Sequence, residues 1–404
     1  MTEMAPPVPD RVEPMSAWDN LAGQDEAIAV ITAAVNAAHA AHRDAHDSRA
    51  MTHAWLITGP PGSGRSNVAY AFAAALLSTD DPDDRATVSA HVAARSHPDL
   101  GVLASERVII TIDEVRALVA RSQFAPSLGR FRVMVIEDAD RMTERTSNVL
   151  LKALEEPPEQ TVWILCAPSE ADLLPTIRSR VRTLRLRTPS VAQVAELLER
   201  RDGVDPHDAL QAARHAQSHI GMARRLATDP DARARRERAL DCVLAVRSVS
   251  SAVTAAATLL EIAGDDAAAL RAERDDEERQ QALHALGVES GGTIPPALRV
   301  YLRQLEDDQK RRATRTLRDG IDRILTDLLS IYRDVLIIQL GTGAPLINSE
   351  RGQQLDALSA HTTSADTLAA MDAIASTRQR VARNVAPLLA LEAMLVAFVR
   401  GAAQ

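Results

Sequence analysis

The chain has 404 residues, 46% of them hydrophobic and 25% charged, and its 46 Lys and Arg against 55 Asp and Glu give a net charge of −9. Such a length and composition suit about two to three globular domains, and the acidic total excludes a surface that wraps nucleic acid throughout while leaving local basic patches open. No run approaches the ~20 apolar residues of a membrane span, the opening MTEMAPPVPDRVEPM lacks the basic start and apolar core of a secretion signal, and two cysteines, Cys166 and Cys242, make neither a disulfide framework nor a four-thiolate zinc site. The expectation is a cytoplasmic protein.

Residues 1–15 are Pro-rich and expected to be disordered, with Trp18 the first side chain worth burying. From Leu21 to His42 an Ala-rich stretch with Ile28, Ile31 and Val35 predicts a helix. Ala54–Gly59 is a short apolar run ending in glycine and predicts a buried strand. Asn67–Leu77 predicts an apolar helix, whereas Ser78–Pro98 carries four aspartates without a clear period and reads as surface. Thr111–Ser122 contains an amphipathic helix, and Phe131–Ile136 is a second buried strand. Thr143–Glu156 is helical with Leu150, Leu151 and Leu154 on one face, and Pro157-Pro158 stops it. Thr161–Cys166 is a third strand, and Leu184–Arg187 alternates apolar and basic residues as a half-buried strand does.

Strands separated by helices imply a parallel α/β sheet covered on both faces. After Thr188-Pro189 only helical patterns remain. The chain therefore divides into an α/β domain over 16–188, a small helical domain over 189–230 and an all-helical domain over 231–404.

Gly59-Pro60-Pro61-Gly62-Ser63-Gly64-Arg65-Ser66 fits the phosphate-loop frame G-x-x-x-x-G-K-[ST], with arginine at the lysine position. It lies between a buried strand and a helix, where backbone N–H groups and a helix N-terminus hold phosphates. Lysine is a compact point charge and arginine a wider planar fork, so Arg65 supports the fold more strongly than it supports ATP hydrolysis. The next strand ends in Glu137-Asp138. Phosphate-loop ATPases place Asp there for the Mg²⁺ shell, often followed by Glu as base. The inverted order displaces each carboxylate by about one methylene, which in-line geometry tolerates poorly. Helix capping by these acids remains the alternative.

Five segments in order resemble one family: the phosphate loop, Ser122–Arg132 (SQFAPSLGRFR), the acidic strand end, Asn148–Pro158 (NVLLKALEEPP) and Ile177–Val181 (IRSRV). They resemble the clamp-loader subunits of bacterial DNA polymerase III, members of the AAA+ superfamily. The resemblance implies an α/β P-loop AAA+ domain, a helical lid and an all-α collar. It spans the first ~190 residues well and the helical remainder loosely. Within the family, Arg65, the Glu137-Asp138 inversion and His97-Pro98-Asp99-Leu100 favour the delta prime class over the hydrolysing gamma/tau class. Tyr332-Arg333-Asp334-Val335-Leu336 followed by Asn348 is similar to delta prime collars, actinobacterial ones in particular.

The family's four-cysteine zinc module has no counterpart in Ser78–Ser96, and His91 with His97 cannot close a tetrahedral site, so no zinc is expected. The family's Ser-Arg-Cys motif stands here as Ser179-Arg180-Val181. The resemblance implies that Arg180 acts in trans on the ATP of a neighbouring gamma/tau subunit, and that Arg224 and Arg225 lie where lids place a sensor arginine, or salt-bridge within the lid. It implies gamma/tau and delta subunits as partners, with the sliding clamp and primed DNA reached through the complex, and no membrane. ATP and Mg²⁺ binding stay open, and the chain's own ATPase is expected to be weak or absent. A gamma/tau-type ATPase is the alternative; a small-molecule kinase leaves LLKALEEPP and SR without a role. The basic residues Lys310, Arg311, Arg312, Arg315, Arg318 and Arg323 are interleaved with aspartates and read as a solvated helix face.

Overall fold

Four of the five strands are apolar and almost wholly buried, the fifth is a basic, half-buried edge strand, and all five join one sheet. The computed structural model describes residues 18, 21–41, 51–79, 81–104, 109–285 and 296–401, so the expected disorder of residues 1–15 falls outside the described residues. The strands are β1 (Ala54–Thr58), β2 (Leu100–Leu103), β3 (Arg132–Ile136), β4 (Thr161–Ala167) and β5 (Arg182–Arg185). They are parallel throughout, in the order β2-β3-β4-β1-β5.

Alternation along the strands divides the core in two. Trp55, Ile57, Val133, Val135, Ile164 and Cys166 pack on one face with α1 (Asp25–Ala41), α2 (Arg65–Leu77) and α3 (Pro82–Ala93). Leu56, Met134, Ile136, Trp163 and Leu165 pack on the other with α4 (Ile112–Ser122), α5 (Glu144–Glu155) and the short α6 (Pro175–Arg178). Trp55 meets Phe72 edge to face, 5.3 Å between centroids.

Three readings are refined. Ser78–Pro98 is mostly exposed, as the sequence implies, but α3 runs through it. Asp81 caps that helix by accepting from the Asp83 N–H at 3.0 Å, and Pro82 stands at its first turn. The aspartates are thus a helix-start signal, and Val88 and Val92 are buried. β2 was absent from the sequence reading. It is only four residues long and contains Gly101, where a Cβ would lie 2.5 Å from Met134 Sδ, so the sheet needs a residue with no β propensity there. β5 starts two residues before Leu184–Arg187, although Leu184 and Leu186 are both buried as the alternation required.

The helical remainder comprises α7 (Val191–Asp202), α8 (Pro206–His215), α9 (Ile220–Thr228), α10 (Pro230–Leu244), α11 (Val249–Ala285), α12 (Pro296–Leu340), α13 (Gly352–His361), α14 (Ser364–Ala382) and α15 (Pro387–Gly401). Contacts gather the chain into two compact units. The first holds the sheet, extends to Leu210 and includes Ser218–Gly221; the second holds Gln211–Gln217 and everything from Met222 onward. The second unit has its own core, with Leu240, Leu259, Leu325, Ile331, Leu391 and Leu395 all essentially inaccessible.

Candidate functional site

The phosphate-loop frame forms the turn that the sequence predicts, between β1 and α2. Gly62 and Gly64 have φ of +82° and +86°, and Gly64 caps α2 without a side-chain hydrogen bond. Gly62 has a second constraint. A Cβ on it would lie 2.4 Å from His219 Cγ, and its carbonyl accepts from the Ile220 N–H at 3.4 Å. His219 therefore packs directly on the loop. Sequence reasoning missed it, since nothing in its neighbours marks it; only the fold brings Ser218–Gly221 into the first unit. Arg224 and Arg225 lie in the second unit instead. There Arg225 donates to both carboxylate oxygens of Asp266, at 2.8 and 2.6 Å, alongside Arg235 at 2.9 Å and Arg323 at 3.0 Å.

Arg65 folds back on its own loop. Its Nη1 donates to the Gly59 carbonyl at 2.5 Å, and its Nη2 lies 4.0 Å from Asp138. Ser66, whose hydroxyl position serves Mg²⁺ in a competent loop, donates to Glu137 Oε2 at 3.0 Å. Glu137 Oε1 accepts from Tyr70 at 2.5 Å and from Arg95 at 2.9 Å. Burial, then the hydrogen bond to Glu137, push the Tyr70 phenol far above its ordinary pKa, so it remains a neutral donor. Asp138 is left-handed, φ +50°, and lies 3.4 Å from Arg141. Burial and the Asp138 charge raise the Asp140 carboxyl. These residues do not fit Mg²⁺·ATP in a hydrolysing arrangement. The lysine substitute is spent on a carbonyl, and the Glu137 carboxylate is already enclosed by three donors.

Asp99 of the His97-Pro98-Asp99-Leu100 motif is a structural anchor. It is fully buried and accepts from the backbone N–H groups of Ser127, Leu128 and Gly129 at 2.6, 2.7 and 3.0 Å, and from Arg132 at 3.0 Å. Two segments singled out by the sequence, HPDL and SQFAPSLGRFR, are thus one unit, a loop that leaves Phe124 and Leu128 exposed while its backbone is held.

Arg180 lies just past α6. Its Nη1 donates to the Thr176 carbonyl at 2.7 Å and the Ser179 hydroxyl at 3.0 Å, and its Nη2 lies 2.6 Å from Glu155 at the end of α5. Ser179 in turn donates to the Thr176 carbonyl at 3.1 Å. The LLKALEEPP and IRSRV segments therefore meet at the Glu155–Arg180 pair, with the guanidinium side chain about one-third exposed (35%).

In the second unit, Asp334 of the YRDVL segment is fully buried and accepts from the Ile347 and Asn348 N–H groups and from Asn348 Nδ2. Asn348 Oδ1 accepts from Arg236 at 2.6 Å, and Arg236 reaches Asp327 at 3.1 Å. Asp334 and Asn348, both noted in the sequence, are direct partners. Of the basic cluster, Arg315 lies 3.7 Å from Asp319 and Arg323 binds Asp266, while Arg318 pairs with Asn384. The side chains of Lys310, Arg311 and Arg312 lie outside the described residues.

Among the described residues no three His, Cys, Asp or Glu side chains are grouped to hold a metal, and no helix is long and apolar enough to cross a membrane. His91 contacts Ser96 at 3.1 Å and His97 accepts from the Asp99 N–H at 3.2 Å, so the two histidines have separate partners.

Residues 36–190 match the family model described as DNA polymerase III, delta subunit. A DNA polymerase III subunit delta' from Pseudomonas aeruginosa is 36% identical over 165 residues, 39% of this chain and 50% of that protein. A DNA polymerase III subunit gamma/tau from Mycobacterium bovis is 30% identical over 176 residues, 41% of this chain and 30% of that protein. A gamma subunit-related protein from Thermotoga maritima aligns structurally with a TM-score of 0.39 at 17% identity, over 86% of this chain and 94% of that one, a general likeness only. The chain spans about half the length of the delta prime relatives it matches. Residues 36–190 are thus similar to the DNA polymerase III delta-subunit family and to delta prime subunits, a likeness that spans less than half of this chain.

Proposed function

We propose that this chain is a delta prime subunit of the bacterial DNA polymerase III clamp loader, a member of its ring that helps load the sliding clamp onto primed DNA without hydrolysing ATP itself. The observation that carries the reading is the phosphate loop. The domain matches the delta-subunit family, yet Arg65 is bonded to Gly59 and Glu137 is enclosed by Ser66, Tyr70 and Arg95. In this reading residues 189–230 serve as lid and 231–404 as collar, and the partners are gamma/tau and delta, with clamp and primed DNA engaged through the complex. Arg180 supplies its guanidinium to the nucleotide of a neighbouring gamma/tau subunit, where it stabilises charge on the transferring phosphoryl group. Glu155 and the Thr176 carbonyl support this by fixing the direction of the fork.

The gamma/tau match favours a second reading, a hydrolysing subunit. One experiment separates them. The purified chain is assayed for ATP turnover alone, then mixed with gamma/tau and delta and examined for a stable complex that loads clamps. Complex formation with negligible turnover alone is expected. Robust turnover by the isolated chain, abolished by Arg65→Ala, overturns the delta prime reading.

A further inference from the structure

Of the three donors on Glu137, Ser66 belongs to the phosphate loop and the other two do not. Arg95 comes from the end of α3. There the Arg95 N–H donates to the Val92 carbonyl at 3.0 Å and the Ser96 N–H to the His91 carbonyl at 2.9 Å. This is the closure that places the residue after the helix cap in the left-handed region, the usual place of glycine. Arg95 has φ of +56°. Glycine adopts that backbone freely, whereas a side chain meets a steric penalty. An arginine is held there, and its guanidinium is used. Its Nη2 lies 2.9 Å from Glu137, and its Cζ lies 5.4 Å from the centroid of the Tyr70 ring, whose hydroxyl donates to the same carboxylate oxygen.

The acids at the strand end already have cationic partners: Arg95 stands 2.9 Å from Glu137, Arg65 and Arg141 stand 4.0 and 3.4 Å from Asp138, and the same two arginines act on the neighbouring Asp140. A divalent cation entering this ring meets acids whose charge is already answered and three guanidinium groups that repel it at short range. We propose that Arg95 is a built-in cation for the acidic end of β3, occupying the charge-balancing place of a nucleotide-borne divalent cation and closing the loop to Mg²⁺-nucleotide. The inference rests on the non-hydrolysing reading and deepens it by naming the residue that enforces the closure. Helix α3, running through the segment where the zinc module is missing, is what delivers the arginine.

The test uses the full chain in five forms: wild type, Arg65→Lys, Arg95→Gly, and Arg65→Lys combined with Arg95→Gly or with Arg95→Lys. Glycine suits the left-handed backbone, so the fold is retained while the charge is removed, and circular dichroism melting confirms it. Binding of Mn²⁺ in the presence of ADP is read by electron paramagnetic resonance, with a fluorescent ADP analogue as the second probe. Wild type and Arg65→Lys should show no saturable Mn²⁺·ADP binding, and Arg65→Lys/Arg95→Gly should bind at least about tenfold more tightly than Arg65→Lys. Arg65→Lys/Arg95→Lys, which keeps the charge, should stay closed. If the glycine double variant gains nothing, or the lysine double variant gains as much, the role of Arg95 is overturned while the non-hydrolysing reading stands. Tight Mn²⁺·ADP binding with ATP turnover in the wild type overturns both.

Discussion

At the scale of single residues, Arg180 and Asp99 are both arginine–carboxylate sites with opposite logic. Arg180 is partly exposed and its pair with Glu155 contributes little to stability. Arg180→Ala should melt as wild type does and still join gamma/tau and delta. What it should lower is clamp- and DNA-stimulated ATP turnover of the assembled loader. A trans-acting arginine is worth about 10³–10⁵ at its own site, and less in a ring whose other sites keep theirs. Arg180→Lys should rescue poorly, because a point charge does not reproduce the fork. Wild-type loading by both variants would remove the trans role. Asp99 is the buried case. Burial alone would raise its pKa, but the three backbone N–H groups of Gly129, Leu128 and Ser127 together with Arg132 outweigh it and hold the carboxyl below its ordinary value. A folded pKa below the unfolded one means that the contribution to stability is full above about pH 4–5 and fades as pH falls through the ordinary and then the depressed value. The melting temperature of the wild type should therefore drop on acidification below about pH 5, and that of Asp99→Asn should drop less steeply. At pH 7 Asp99→Asn should cost about 3–5 kcal/mol, because Arg132 is left buried without its counter-charge. Chemical denaturation across the pH range measures both effects.

At the scale of elements, α5 shows how far periodicity reads and where it blurs. Leu150, Leu151 and Leu154 were assigned to one face, but Leu150 and Leu154 are buried with Ala153, while Leu151 lies at the shoulder, partly buried. Spacing of four residues keeps 150 and 154 in line, whereas 151 is turned by about 100° from 150. Leu150→Ala should cost about 2–5 kcal/mol and Leu151→Ala clearly less. Leu150→Asp should unfold the first unit, since an unpaired buried carboxylate rivals a domain's net stability of about 5–15 kcal/mol. Equal losses for the two alanine variants in urea titrations would show that the face is misassigned. The same contrast explains what else was legible. β1, β3 and β4 are unbroken apolar runs and were read to within a residue or two. β2 and α3 were not, because the strand has a glycine that Met134 needs as space, and the helix declares itself by its cap more than by an apolar stripe. In the site, the loop and the acidic pair could be read locally. His219 and Arg95 could not, since each reaches its partner through tertiary contact from a distant segment.

At the scale of the whole molecule, the two units rest on different polar devices: the Asp99 cradle in one, and the Asp334–Asn348–Arg236 chain in the other. Among the described residues, neither device includes a cluster of side chains able to hold a metal. Elemental analysis of the purified chain should find no stoichiometric zinc, and a strong chelator should leave its melting curve in place; a chelator-induced shift of several degrees would contradict this. The strand order has one more consequence, which concerns the order of synthesis. β1 sits inside the sheet between β4 and β5, and Ala54 pairs with Trp163. A ribosome adding about 5–20 residues per second needs roughly 5–20 s to travel from one to the other. For that interval the Trp55-Leu56-Ile57 run, later wholly inaccessible, has no strand to pair with. Nascent chains stalled before Thr161 should therefore be bound by chaperones or aggregate, and those stalled beyond Leu186 should become protease-resistant. The strand made first is the one completed last.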